Sequence, residues 1–175
     1  AERRGTLKPG MTVIEPTSNK YRIKIESVSY AANVNDMSQG DFTVRGSLTL
    51  TAPNTSTALK VGDPYSIQWS QTGNIQLINL SNSVDGGSDG YPNVIATDVA
   101  SVPGSNLFAW PSGIVNSIGT SRSVKIVDKA DPGVSDVSDI TFPIIGKLTL
   151  NAPNGSVTCT VGSPCTIQWT PTGTW

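Results

Sequence analysis

The chain has 175 residues, with 12 Lys and Arg against 13 Asp and Glu and a formal net charge of −1. Without a run of Lys or Arg, there is no basis for electrostatic capture of nucleic acid or anionic lipid. No stretch reaches the roughly 18 apolar residues of a membrane-spanning helix, and with no histidine the chain has no imidazole acid, base or nucleophile partner. Charged residues are only 14% of the chain, and its Ser, Thr, Asn, Gly, Val and Ile content favours short strands joined by turns. No window shows a helical period.

Residues 1–45 open on Ala-Glu-Arg-Arg, with neither an initiator Met nor an apolar leader core, so a processed or excised chain is expected. Within them, the stretch Tyr21 to Ser27 resembles Ser121 to Asp128, and Val34-Asn35-Asp36 and Phe42-Thr43-Val44 resemble Val134-Ser135-Asp136 and Phe142-Pro143-Ile144. They are therefore expected to be the C-terminal part of a module whose next copy follows.

Residues 46–73 then recur without a gap at 146–173, identical at 16 of 28 positions. The period of 100 residues exceeds the roughly 20–50 residues of solenoid or propeller repeats and approaches an autonomous domain. The expected organisation is one complete module at 46–145 and the N-terminal part of a further module at 146–175.

Strands are expected at Leu48–Ala52, Tyr65–Ser70, Ile75–Leu80, Asn93–Thr97, Leu107–Trp110, Ser121–Val127 and Thr141–Ile145. Ile67 and Trp69 alternate with Ser66 and Gln68, and Val124 and Ile126 with Ser123 and Lys125, as half-buried strands require. Turn signals separate them at Pro53-Asn54, Val61-Gly62-Asp63-Pro64, Asp85-Gly86-Gly87, Pro103-Gly104 and Asp131-Pro132-Gly133. Seven strands in 100 residues predict an all-β sandwich.

The ordered motifs Ala52-Pro53-Asn54, Val61-Gly62, Ile67-Gln68-Trp69-Ser70, Ser83-Val84-Asp85-Gly86-Gly87, Trp110-Pro111 and Ser135-Asp136-Val137-Ser138-Asp139 before Phe142 carry a resemblance. The chain resembles the immunoglobulin-like modules repeated in bacterial secreted and surface proteins, of the Ser/Thr-rich Kre9/KNH-like cell-wall domain type. It departs from that pattern at Leu59-Lys60 and Cys159-Thr160, where an aromatic residue often precedes Val-Gly, and in lacking a Trp after Asp-Gly-Gly. The resemblance implies tandem immunoglobulin-like β-sandwiches in an extracellular or cell-surface protein, and no catalytic residues.

Cys159 and Cys165 stand where the first copy has Leu59 and Tyr65. Six residues apart across a turn, they are expected to form a disulfide, the alternative being two buried thiols; two thiolates with no histidine make a poor zinc site. Asp85 and Asp89, and separately Asp128, Asp131, Asp136 and Asp139, offer clustered oxygens of the kind calcium takes. Their spacing is not that of an EF-hand loop, and aspartate is common in turns, so solvated turns are the stronger expectation, and no cofactor is expected. Trp69, Trp110, Trp169 and Trp175, with Tyr21, Tyr30, Tyr65 and Tyr91, include enough aromatics for a sugar-stacking platform. The alternation around Trp69 and Trp169 instead places these rings in the core, leaving Tyr91 as the exposed ligand-binding candidate. Glycosylation sequons occur at Asn54, Asn79 and Asn154, the first and last at one turn of the repeat.

Glu occurs only at positions 2, 15 and 26 and the Asp residues fall in turns, so no carboxylate pair for glycoside hydrolysis is evident and no enzyme is expected. The junctions Val44-Arg45-Gly46-Ser47-Leu48 and Ile144-Ile145-Gly146-Lys147-Leu148 leave about two residues between modules, too few for a flexible linker. The expected function is a semi-rigid structural segment of a stalk, adhesin or surface filament. Its partners would be neighbouring modules of the same or an identical chain, and a head-to-tail homopolymer by strand complementation is one version, although about 20 residues of central strand would be missing from its joint. The alternatives are a cell-surface polysaccharide-binding module and a spacer of a larger secreted enzyme.

Overall fold

A computed structural model describes residues 18–22, 24–27, 34–110 and 118–174. The expectations for Tyr30, Pro111 and Trp175 lie outside them. The described residues are all-β, with fifteen strands and no helix. In chain order these are β1 (Ser18–Tyr21), β2 (Lys24–Glu26), β3 (Asn35–Met37), β4 (Phe42–Val44), β5 (Ser47–Ala52), β6 (Leu59–Lys60), β7 (Ser66–Thr72) and β8 (Leu77–Ser83). Then follow β9 (Asn93–Ala100), β10 (Gly104–Ala109), β11 (Gly119–Asp128), β12 (Ser135–Val137), β13 (Phe142–Ile145), β14 (Lys147–Ala152) and β15 (Gln168–Thr172).

Between residues 47 and 145 the strands form two sheets. One has the order β10-β7-β5; the other runs β6-β13-β11-β8-β9, with β12 also paired to β11. Period-2 alternation sends Leu48, Leu50, Ile67 and Trp69 inward from the first sheet, and Ile78, Leu80, Val124, Ile126 and Phe142 inward from the second. These side chains share one core, and each fully buried aliphatic or Phe side chain contributes about 1.5–3 kcal/mol relative to exposure. Trp69 is the largest of them, and its indole N–H donates to Ser101 Oγ at 3.0 Å, so its one polar atom is satisfied inside the core.

Some elements depart from the sequence expectations. Ile75 is buried but precedes its strand: Gln71 Nε2 donates to the Ile75 carbonyl at 2.9 Å, and ladder pairing begins at Leu77. The expected last strand, Thr141–Ile145, is β13, and a strand the sequence did not suggest, β12, precedes it. β12 pairs with Lys125–Val127, and β13 pairs with β11 at Gly119 and Arg122, with a register irregularity between those two positions.

The sequence repeat reappears as strand register. β14 pairs with β15 as β5 pairs with β7: Lys147 opposite Thr172 repeats Ser47 opposite Thr72, and Leu150 opposite Trp169 repeats Leu50 opposite Trp69, with the same irregularity at Ala152 and Ala52. At the other end, β2 and β3 align Lys24 with Met37 as β11 and β12 align Lys125 with Val137. β1 and β4 pair Tyr21 with Phe42, the counterpart of Arg122 opposite Phe142.

Candidate functional site

The sharpest turn chemistry lies between β8 and β9. Gly86 and Gly87 have φ values of +76° and +107°, conformations an L side chain rarely adopts. Ser83 is fully buried and organises the loop: its hydroxyl donates to Asp85 Oδ1 at 3.0 Å and accepts from the N–H groups of Asp85 and Gly87 at 3.2 and 2.6 Å. Asp85 Oδ1 also takes the Asp89 N–H at 2.8 Å. Asp89 in turn accepts from the backbone of Val84 and of Tyr91 at 2.9 and 3.0 Å. Desolvation works against the Asp89 carboxylate, but these hydrogen bonds, with those from Ser83 and its own backbone, outweigh it and hold the carboxyl below the ordinary range.

Tyr91 sits on this loop at a φ of 63°. Its hydroxyl lies 3.1 Å from Ser123 Oγ and 2.8 Å from where a Gly87 Cβ would stand, and Lys125 Nζ lies over its ring at 5.6 Å from the centroid. The ring is therefore half-buried and packed within the fold. It also accounts for the burial of Ser123, which the alternation alone would point to solvent.

The remaining acidic residues are engaged at separate places. Asp131 pairs with Arg45 Nε at 3.0 Å and accepts the Gly133 N–H at 3.1 Å. Asp136 accepts the Leu50 N–H at 2.7 Å, tying β12 to β5 across the sheet boundary. Asp139 accepts from Asn54 Nδ2 at 2.6 Å while its own N–H donates to Asn54 Oδ1 at 2.6 Å. The sequon residue Asn54 thus has its amide committed to the fold. Asp128 is buried and accepts the Ala130 N–H at 2.9 Å. Among the described residues no three Cys, Asp or Glu side chains converge as on a metal ion.

Surface depressions among the described residues include two beside the core. One, of about 520 Å3, is lined by Arg122, Asn82, Asn93 and Val94 among others. Burial lowers the Arg122 pKa and nearby Asp89 raises it, and Arg122 Nη2 donates to the Ile118 carbonyl at 2.8 Å. The other, of about 400 Å3, holds Tyr65 and Trp110, whose rings meet edge to face with centroids 6.5 Å apart. Trp110 is only 4% exposed, so its ring face is core surface rather than a stacking platform.

The junctions between repeat units are short. Only Gly146 separates β13 from β14, and only Arg45 and Gly46 separate β4 from β5. A Cβ on Gly46 would meet the Thr72 carbonyl oxygen at 2.7 Å and the Ile75 side chain at 3.0 Å, and a Cβ on Gly73 would meet the Gly46 Cα at 2.9 Å. The same close approach recurs at Gly173 and Gly146, where Ile118 also packs at 3.0 Å. Lys147 Nζ reaches Asp63 Oδ1 at 3.1 Å, and the Val61 N–H donates to the Ile145 carbonyl at 3.0 Å. Both junction ion pairs, Arg45 with Asp131 and Lys147 with Asp63, are substantially exposed. Each is worth about 0–1 kcal/mol. Sequence reasoning found the short junctions but not these ion pairs, because each joins residues more than 80 positions apart.

Cys159 and Cys165 form the expected disulfide, with Cα atoms 5.7 Å apart. No protein-family model matches the chain, and no curated protein matches it either.

Proposed function

We propose that this chain is a non-catalytic structural segment of an extracellular stalk, adhesin or surface filament built from tandem immunoglobulin-like modules, of which residues 46–145 are one whole unit. The observation that carries the reading is the junction. A single residue between β13 and β14, with Gly173 closely approached by Ile118 and Lys147 reaching Asp63 across the junction, favours a restricted joint where modular proteins by default flex. The repetition of strand register on either side supports modules of one kind in series, and the disulfide fits an oxidising compartment.

A polysaccharide-binding role has less behind it, since the Tyr91 ring is packed against the fold and Trp110 is buried. Small-angle scattering of the whole chain tests the rod: one elongated conformation should fit the curve, and a curve needing an ensemble of bent conformers would refute the reading. Titration with polysaccharides should leave tryptophan fluorescence unchanged.

A further inference from the structure

β9 runs over eight residues, Asn93–Ala100, but pairs with only Leu77–Asn82 of β8. The register slips between Ile78 and Leu80 and again between Leu80 and Ser81, so β9 carries extra residues, as a bulged strand does. At the first slip, Asn79 alone stands opposite Thr97 and Asp98. Asp98 has a φ of 57°, in the left-handed region that aspartate enters more readily than most residues. Its N–H donates to Asn79 Oδ1 at 3.1 Å, and its carboxylate pairs with Lys129 Nζ at 2.5 Å. The Lys129 N–H donates to the Leu77 carbonyl at 3.0 Å, so a link runs from the end of β11 across β8 to β9.

We propose that Asp98, held by Asn79 and Lys129, guards β9 against strand addition, so that copies of this unit do not join edge to edge. Asp98 is the only charge in β9: Asn93-Val94-Ile95-Ala96-Thr97 before it and Val99-Ala100 after it hold no charge, proline or glycine. A run of that composition at the border of a sheet is what recruits a further strand. β9 ends the order of its sheet among the described residues. Of its side chains Ile95 and Val99 pack against the core, while Val94 is 69% exposed. Every part of the guard lies within residues 77–129, inside the one full repeat period of the chain.

Two effects oppose an incoming strand. The bulge twists β9 and breaks the even spacing of its ladder groups, and the Asp98 N–H is turned to Asn79 and so is lost to any partner. The ion pair, about half exposed at both side chains, would have to shed its water beneath a strand laid alongside, and a charge without water is costly. The need for a guard is physical. Like units in series meet at about millimolar effective concentration, where unpaired strand edges lead to misassembly. The guard operates whether or not the junction bends, so the restricted joint can fail without it and it can fail without the joint.

The test is light scattering and thioflavin T fluorescence of the whole chain at about 100 µM, held below its thermal transition. Asp98→Val, which removes the charge and disfavours the left-handed backbone, should assemble about tenfold faster than wild type or more. Asp98→Asn and Lys129→Ala keep the backbone conformation and should assemble about two- to fivefold faster. Val94→Lys added to Asp98→Val puts a charge back on the same strand and should return the rate to within about twofold of wild type. Asp136→Ala, which destabilises the unit at the hydrogen bond between β12 and β5, should assemble no faster than wild type, and this separates the edge from loss of stability. The proposal is overturned if Asp98→Val and Asp98→Asn assemble no faster than wild type, if Asp136→Ala matches them, or if Val94→Lys leaves the Asp98→Val rate unchanged. A wild-type chain that assembles with its β9 amides newly protected from hydrogen exchange overturns it too.

Discussion

Asp136→Ala removes one carboxylate, and the loss can be sized from its surroundings. Asp136 Oδ2 accepts the Leu50 N–H at 2.7 Å in a part-buried setting, and Leu50 is itself buried to 1%. A hydrogen bond to a charged group contributes about 1.5–3 kcal/mol, and an abandoned buried N–H costs a similar amount. Asp136→Ala should therefore destabilise residues 46–145 by about 2–3 kcal/mol. In a module of this size that lowers Tm by roughly 10–20 °C. Asp136→Asn keeps an acceptor without the charge and should cost about half as much. The assay is urea and thermal unfolding followed by near-ultraviolet circular dichroism, with and without calcium or EDTA. Neither addition should move the wild-type transition. The reasoning fails if Asp136→Ala falls within about 0.5 kcal/mol of wild type, the range of an ordinary surface change, or if EDTA destabilises the wild type as much as the substitution does.

Ser83→Ala deletes a buried hydroxyl that serves three hydrogen bonds in the β8–β9 loop, and denaturant titration should show a loss of about 1–3 kcal/mol. Gly46→Ala drives a Cβ against the Thr72 carbonyl; an overpacking cost of about 1–3 kcal/mol should appear in the same assay. Burial raises the Tyr65 pKa, so the folded state favours the neutral phenol. Its stabilisation is complete below the unfolded tyrosine value of about 10 and is lost as pH rises through the higher folded value. Alkaline absorbance titration should show a late-ionising tyrosine that Tyr65→Phe abolishes, and alkaline unfolding should weaken in the same variant.

Strands with alternating apolar residues were legible because one residue in two must face the core: Leu48 and Leu50, Ile67 and Trp69, and Val124 and Ile126 declare β5, β7 and β11 directly. β6 and β12 were not. Leu59–Lys60 and Ser135–Val137 are too short to show a period, and each is defined by its distant partner strand. The disulfide was readable from the paired change of Leu59 and Tyr65 to Cys159 and Cys165. The tie from Asp136 to Leu50 was hidden because an aspartate between polar residues reads as a turn, and nothing local reports an acceptor 86 residues from its donor. Tyr91 is half-buried in the structure. An aromatic after Asp-Gly suggests an exposed loop ring, but the positive φ values of Gly86, Gly87 and Tyr91 itself fold the ring back toward Ser123 and Lys125.

The proposed restriction of the junction is tested most directly by pulsed electron–electron double resonance between spin labels at Val94→Cys on β9 and Thr149→Cys on β14, both exposed and on opposite sides of Gly146. A single narrow distance distribution is predicted. It should survive high salt, because the Lys147–Asp63 pair is exposed and contributes little. A broad distribution of the kind a flexible linker produces would contradict the account.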